Sequence, residues 1–269
     1  MISNQHNIND QQKFFHGIGT DIVKEGIFER FPELIPCVGV NYERDGKHKK
    51  LLFIGESNYF PVELNLLIEK IERDGDSTLL TPNEIQNLHE FIAVFPDKNK
   101  WYKDYTGKPI PQSIKSFVSN DTGYDPFVKT FKMANDILRN HGVEPGGERL
   151  YETTFYNYFL RPALDPGSSK AKKFKPEEID REVAGVALCG IIERLKPQVI
   201  VFLSKFSFVA FQQYLNRRDK HYNKISNVDI RYNNVEIHGV VHPSSPWWNR
   251  NNGVYGRARL EKILKESWF

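Results

Sequence analysis

KPEEIDREVAGVALCGIIERLKPQVIVFLSKFSFVAF, residues 175–211, decides the fold. Its first part, 175–197, is the clearest helix in the chain. Pro176 stands in the first turn, where the missing N–H costs nothing, and Glu177 and Glu178 lie at the positive helix end. Ile179, Val183, Val186, Ala187, Ile191 and Leu195 then keep a 3.6-residue period. VIVFLS (199–204) is a fully apolar strand, and 206–215 reads as a further helix. A strand apolar on both faces, set between helices, belongs to an α/β protein with a largely parallel sheet.

The same pattern extends in both directions. LLFIG (51–55) is a short apolar run closed by glycine and reads as a second central strand. ETTFYNYF (152–159), β-branched and aromatic, reads as a third, and IRYNNVEIHGVVHP (230–243) as a hairpin ending in a buried strand. Helices are expected over 13–36, where Phe14, Phe15, Ile18, Ile22, Ile27 and Phe28 share a face. Others are expected near 62–73, over 81–95 and 125–142, and at the close over 257–268. CVGVNYE (37–43) predicts a short strand with a turn at 44–47, and 96–125 reads as loop. In a sheet wound this way, ligands bind beyond the carboxyl ends of the strands. GESNYF (55–60), NYFLRP (157–162), SKFS (204–207) and HPSSPWW (242–248) should therefore converge.

Composition limits what such a protein does. With 269 residues, the chain can bury about three quarters of its unfolded surface, enough for a full-sized domain. Cys37 and Cys189 are too few for a disulfide framework or a four-thiolate metal site, and fit a reducing compartment. No apolar run approaches a membrane span, and the polar start MISNQHNINDQQ has no signal-peptide core, so a cytoplasmic protein is expected. The formal charge of +3 announces no nucleic-acid binder, but the charge is uneven. SKAKKFK (169–175) carries four lysines and no acid, and 249–266 carries five basic residues against two acidic ones. Such clusters are solvated faces or phosphate-facing surfaces.

Taken together and in this order, strand-GESNYF, strand-NYFLRP, KPQVIVFLSKFSFVAF and strand-HPSSPWWNR resemble the uracil-DNA glycosylase superfamily. Its members carry a GQDPYH- or GEAPG-type motif after the first strand and an Asn-bearing second strand. A KPxVIVxLGxxA-like segment follows, and then a terminal HPSP motif that feeds a DNA-intercalating loop. The resemblance covers roughly 50–60 and 125–269. It implies a single three-layer α/β domain over 1–269, with a central, mostly parallel four-stranded sheet and helices on both faces. An N-terminal helical extension (1–45) and a helical or loop insertion (61–116) are expected additions. It also implies a hydrolase that removes uracil, or another deaminated or damaged base, from DNA. Such an enzyme works on a flipped nucleotide, with DNA as partner, as a monomer and without metal or cofactor.

The residue roles follow the motifs. His242 is expected to donate to the base carbonyl as negative charge grows on the leaving base. Glu56 is expected to position water or stabilise the oxocarbenium-like sugar. Gly55, Ser57, Tyr59, Phe117 and Asn157 are the base-binding set: Tyr59 to exclude a thymine methyl, Phe117 to stack, Asn157 to read the base edge with its amide. Trp247 and Trp248 follow HPSSP as wedges for the base stack, with at least one expected to pack beneath the loop. Lys205, Ser244, Arg250, Arg257 and Arg259 suit phosphate contacts.

Two departures keep other readings open. Ser57 stands where the GQDPYH branch has its catalytic Asp, and Asn58 where it has Pro. Both favour a non-catalytic member of the fold that binds nucleic acid or a nucleobase. GESNY also resembles the GDS block of serine esterases, with Ser57 as nucleophile and His242 as base. The position three residues before that histidine is Gly239, so the orienting acid is missing. Neither phosphate-cradling glycine fingerprint is present, which weighs against a generic nucleotide-binding sheet.

Overall fold

A computed structural model describes residues 13–23, 25–31, 34–43, 46–60, 125–146, 151–164, 176–250 and 256–269; side chains at 58–60, 125–127 and 162–164 are excepted. The insertion 61–116, the helices expected within it and Phe117 lie outside the described residues.

The elements in chain order are α1 (Ile27–Arg30), β1 (Cys37–Val38), β2 (Leu51–Phe60), α2 (Asp125–Asn140), β3 (Thr153–Leu164) and α3 (Glu178–Leu195). They continue with β4 (Val199–Phe202), α4 (Lys205–Arg217), β5 (Asn223–Lys224), β6 (Asp229–Tyr232), β7 (Val235–Gly239) and α5 (Gly256–Glu266). The strands form one mixed sheet in the order β1-β3-β2-β4-β7-β6-β5.

This corrects the four-stranded expectation to seven strands among the described residues. β2, β4 and β7 run parallel, while β1 joins β3 and the β5–β6–β7 run antiparallel. Of the added strands, β1 falls in the short strand expected over 37–43 and β6 in the expected hairpin, and the two-residue edge strand β5 is too short to leave a hydrophobic period in the sequence. β6 and β7 meet through Asn233 and Asn234, both left-handed (φ 49° and 64°). That conformation at both central residues is the type I′ hairpin turn, which Asn tolerates well.

The chain divides into two compact units where the sequence reading expects one domain. One draws on Met1–Ile35, Ser57–Thr122 and Phe159–Gly190; the other on Pro36–Glu56, Gly123–Tyr158 and Ile191–Phe269.

In the first unit the expected helix over 13–36 is reduced to α1. Gly17, Gly19 and Gly26 adopt φ of 78°, 76° and 87°, so the backbone turns three times where a helix would continue. The turns fold Phe15 onto Phe28 (ring centroids 5.6 Å apart) and bring Ile18 against α3. At Gly190 a Cβ would lie 2.8 Å from an Ile18 methyl. Arg161 and Asp180 form a two-bond ion pair here, Nε to Oδ1 at 2.8 Å and a terminal guanidinium nitrogen to Oδ2 at 2.7 Å. Asp180 Oδ2 also accepts from the Glu177 N–H at the head of α3. Asp180 is wholly buried, and the pairing with Arg161 offsets the cost of desolvating both charges.

In the second unit, alternate residues of the sheet face opposite ways. Leu51, Phe53, Val199 and Val201 join Phe131, Ala134, Ile137 and Leu138 of α2 and Leu260, Ile263 and Leu264 of α5 in one core. From the opposite face, the Phe202 ring meets Phe208 and Phe211 of α4 at 5.7 and 5.8 Å. Helices therefore cover both faces in this unit. The last residues are tied down as well: Trp268 donates its indole N–H to the Lys49 carbonyl at 2.7 Å, and Lys49 Nζ donates to the Ser267 carbonyl. Among the described residues, no helix is long and apolar enough to cross a membrane.

Candidate functional site

Strand register builds the site. β2 and β4 pair with Ile54 opposite Phe202, and the Leu203 N–H donates to the Ile54 carbonyl at 2.7 Å. Two residues further, the same register sets Glu56 beside Ser204. β4 and β7 pair with Phe202 opposite Gly239, so His242 follows at the same end of the sheet. Ser204 and His242 thus follow the carboxyl ends of β4 and β7, the side where ligand sites form in such sheets, and Glu56 stands level with Ser204 within β2, which continues to Phe60 where the sequence predicts a loop after Gly55.

Ser204 connects two of these parts. It caps α4, its Oγ accepting from the Ser207 N–H at 3.5 Å, while its hydroxyl proton goes to Glu56 Oε2. Sequence reading selected the neighbouring Lys205 and missed Ser204. The available signal was a serine directly after an apolar strand and directly before a helix, which by itself indicates only a cap.

Asn157 comes from β3 and packs against Gly55. A Cβ at position 55 would collide with Asn157 Oδ1 and lie 2.8 Å from Phe155 Cζ. Glycine here is a condition for Asn157 to lie against the middle of β2. Gly55 therefore acts through close approach, a narrower role than base contact.

His242 is half-buried, and its protonation is defined by its neighbours. The Ser244 N–H, which can only donate, points at His242 Nδ1 at 3.2 Å, and Ser244 Oγ lies 2.7 Å from the same nitrogen. Nδ1 is therefore an acceptor, and the neutral ring carries its proton on Nε2. Burial holds the imidazole below its ordinary value of 6.5, while the nearby Glu56 carboxylate pulls it partly back up. At neutral pH the group is an uncharged Nε2–H donor.

The remaining predicted residues divide sharply. Ser57 is buried, and its hydroxyl donates to the Arg161 carbonyl at 3.3 Å within the first unit. Tyr59 lies on β2 with its side chain outside the described residues, as does all of Phe117. Trp247 is half exposed, and the Arg250 guanidinium stacks over its ring, 3.5 Å from the centroid. Lys205, Ser244 and Arg257 are exposed.

Two of the named residues turn inward. Trp248 is 5% exposed and belongs to the core with Phe53 and Leu260, the packing beneath the loop expected of at least one tryptophan, which leaves Trp247 as the candidate wedge. The turn requires this: at Gly256 (φ 72°) a Cβ would strike the Trp248 backbone, so the chain comes back directly over it. Arg259 is also turned inward. It pairs with Asp229 and donates to the Gly239 and Val228 carbonyls at 3.1 and 3.4 Å.

Among the described residues, no group of three or more His, Cys, Asp or Glu is placed to hold a metal ion. No protein-family model matches the chain, and no curated protein matches it at a significant level.

Proposed function

We propose that this chain is a DNA glycosylase that hydrolyses the N-glycosidic bond of uracil, or of another deaminated or damaged base flipped from DNA. The observation that carries the reading is the neutral, Nε2-protonated His242, set near enough to Glu56 for the carboxylate charge to act on its ring. The resemblance of the four ordered motifs supports it.

In this reading the flipped base sits between Asn157 and His242. As the C1′–N bond breaks, its electron pair moves onto the base. The His242 Nε2–H donates to the base carbonyl where that charge collects, and a neutral donor avoids paying to keep a second charge buried. The sugar becomes oxocarbenium-like and is stabilised by Glu56. A water adds at C1′ and gives its proton to the Glu56 carboxylate, from which it passes to the base anion, leaving an abasic site and the free neutral base. Trp247 with Arg250, and Lys205 and Arg257, would grip the strand around the lesion through stacking and phosphate contacts.

A second reading, a relative that binds nucleic acid without cleaving it, draws on Ser57 at the usual Asp position. The esterase reading is weaker. Its nucleophile must give its proton to a base nitrogen, and the Ser57 proton goes to a backbone carbonyl.

The test is incubation with labelled oligonucleotides carrying a single uracil, single- and double-stranded. Abasic-site formation supports the glycosylase. Salt-sensitive binding without product favours the binding relative, and ester hydrolysis abolished by Ser57→Ala would restore the esterase.

A further inference from the structure

We infer that Ser204 is a positioning residue for Glu56, its hydroxyl orienting the carboxylate for the reacting sugar through Oε2; this rests on the glycosylase reading above. A serine hydroxyl has one proton to give. Here it goes to Glu56 Oε2, while the oxygen accepts the Ser207 N–H at the head of α4. Glu56 is thereby tied, through a single buried atom, to the positive end of a 13-residue helix.

The link is strict because both residues are set by the backbone. The β2–β4 register fixes their level, and Ser204, 2% exposed with φ −151° and ψ 121°, is held between strand and helix. A flexible glutamate would otherwise sample several rotamers, and holding it oriented removes that loss at the reacting centre.

The test separates positioning from helix capping. Glycine caps nearly as well as serine, so Ser204→Gly keeps the start of α4 and removes only the hydroxyl. In single-turnover excision from a uracil oligonucleotide, Ser204→Gly should lower the rate constant on the order of 10- to 100-fold. Its oligonucleotide affinity should stay within about twofold of wild type, because the lost contact acts in the transition state. Ser204→Thr, which keeps the hydroxyl, should recover most of the rate. With Glu56→Gln already present, Ser204→Gly should cost no more than about twofold further.

Wild-type rates in Ser204→Gly, or a fully additive loss with Glu56→Gln, would overturn the inference. If the wild type itself excises nothing, the glycosylase reading fails first. The hydroxyl–carboxylate link is then read from urea midpoints: non-additive shifts for the two substitutions uphold it, and additive shifts overturn it.

Discussion

The second unit holds two acid–histidine pairs that differ in what surrounds the acid. Asp229 and His238 face one another across β6 and β7, with Asp229 Oδ1 2.7 Å from His238 Nδ1. Ser226 donates to the other oxygen at 2.6 Å, and the Arg259 guanidinium supplies a full positive charge. Burial pushes the Asp229 carboxyl up, but the bonds from His238 and Ser226 and the charge of Arg259 outweigh it, leaving it at about 2. Glu56 and His242 stand in a different setting, the Glu56 carboxylate acting on the His242 imidazole through its charge. Glu56 is held by a neutral hydroxyl, and His242 is neutral because burial disfavours its charge. The first pair joins strand, hairpin and α5. The second keeps a carboxylate and an uncharged donor side by side, the combination that leaving-group chemistry needs. An acid beside a histidine is therefore no signature of catalysis.

Substitutions can break this contrast. His242→Ala should lower excision on the order of 10³-fold, about 4 kcal/mol of transition-state stabilisation, with the thermal midpoint scarcely moved. Asp229→Asn should do the reverse, costing about 1–2 kcal/mol of stability once solvent screening is allowed for, with excision unchanged. Urea unfolding beside single-turnover assays separates the two.

Trp247→Ala should weaken duplex substrates about 10-fold and single strands less, because only a duplex has a gap to hold open. Equal losses on both substrates would remove Trp247 as a wedge. Trp248→Ala, by contrast, should act through core packing and cost about 3 kcal/mol of stability.

Both pH responses should lie on the acid side, from different causes. The Asp229 carboxyl is lowered on folding, so its contribution is full above its ordinary 3.8 and is lost as pH falls through about 2. His242 is also lowered on folding, so excision should hold steady above 6.5 and fall only at more acid pH, as the ring takes a second proton. A loss beginning above 6.5 would mean that the ring is charged in the resting protein.

Much of this architecture was readable from local pattern. The apolar runs at 51–55 and 199–204 became β2 and β4, and the periodic stretches over 125–142, 175–197 and 257–268 became α2, α3 and α5 within a few residues. What failed was set by distant contacts. The Phe14-to-Phe28 spacing carries a helical period, but three glycines at positive φ turn the backbone so that Ile18 meets Gly190. Arg259 looks like any exposed helix arginine until Asp229, 30 residues earlier in the chain, is folded beneath it. Trp247 and Trp248 are indistinguishable in sequence, and only the return of the chain at Gly256 buries the second. Glu56 and His242 were singled out because each directly follows an apolar run in the sequence. Ser204 was not, because its partner is known only once the strand register is.

The most direct measurement is single-turnover excision of uracil from an oligonucleotide by the wild type and by His242→Ala, side by side at neutral pH. The account predicts abasic product from the wild type and a rate lower on the order of 10³-fold in the variant, with both proteins equally folded. Equal rates, or product from neither, would contradict the assignment of His242 as the donor to the departing base.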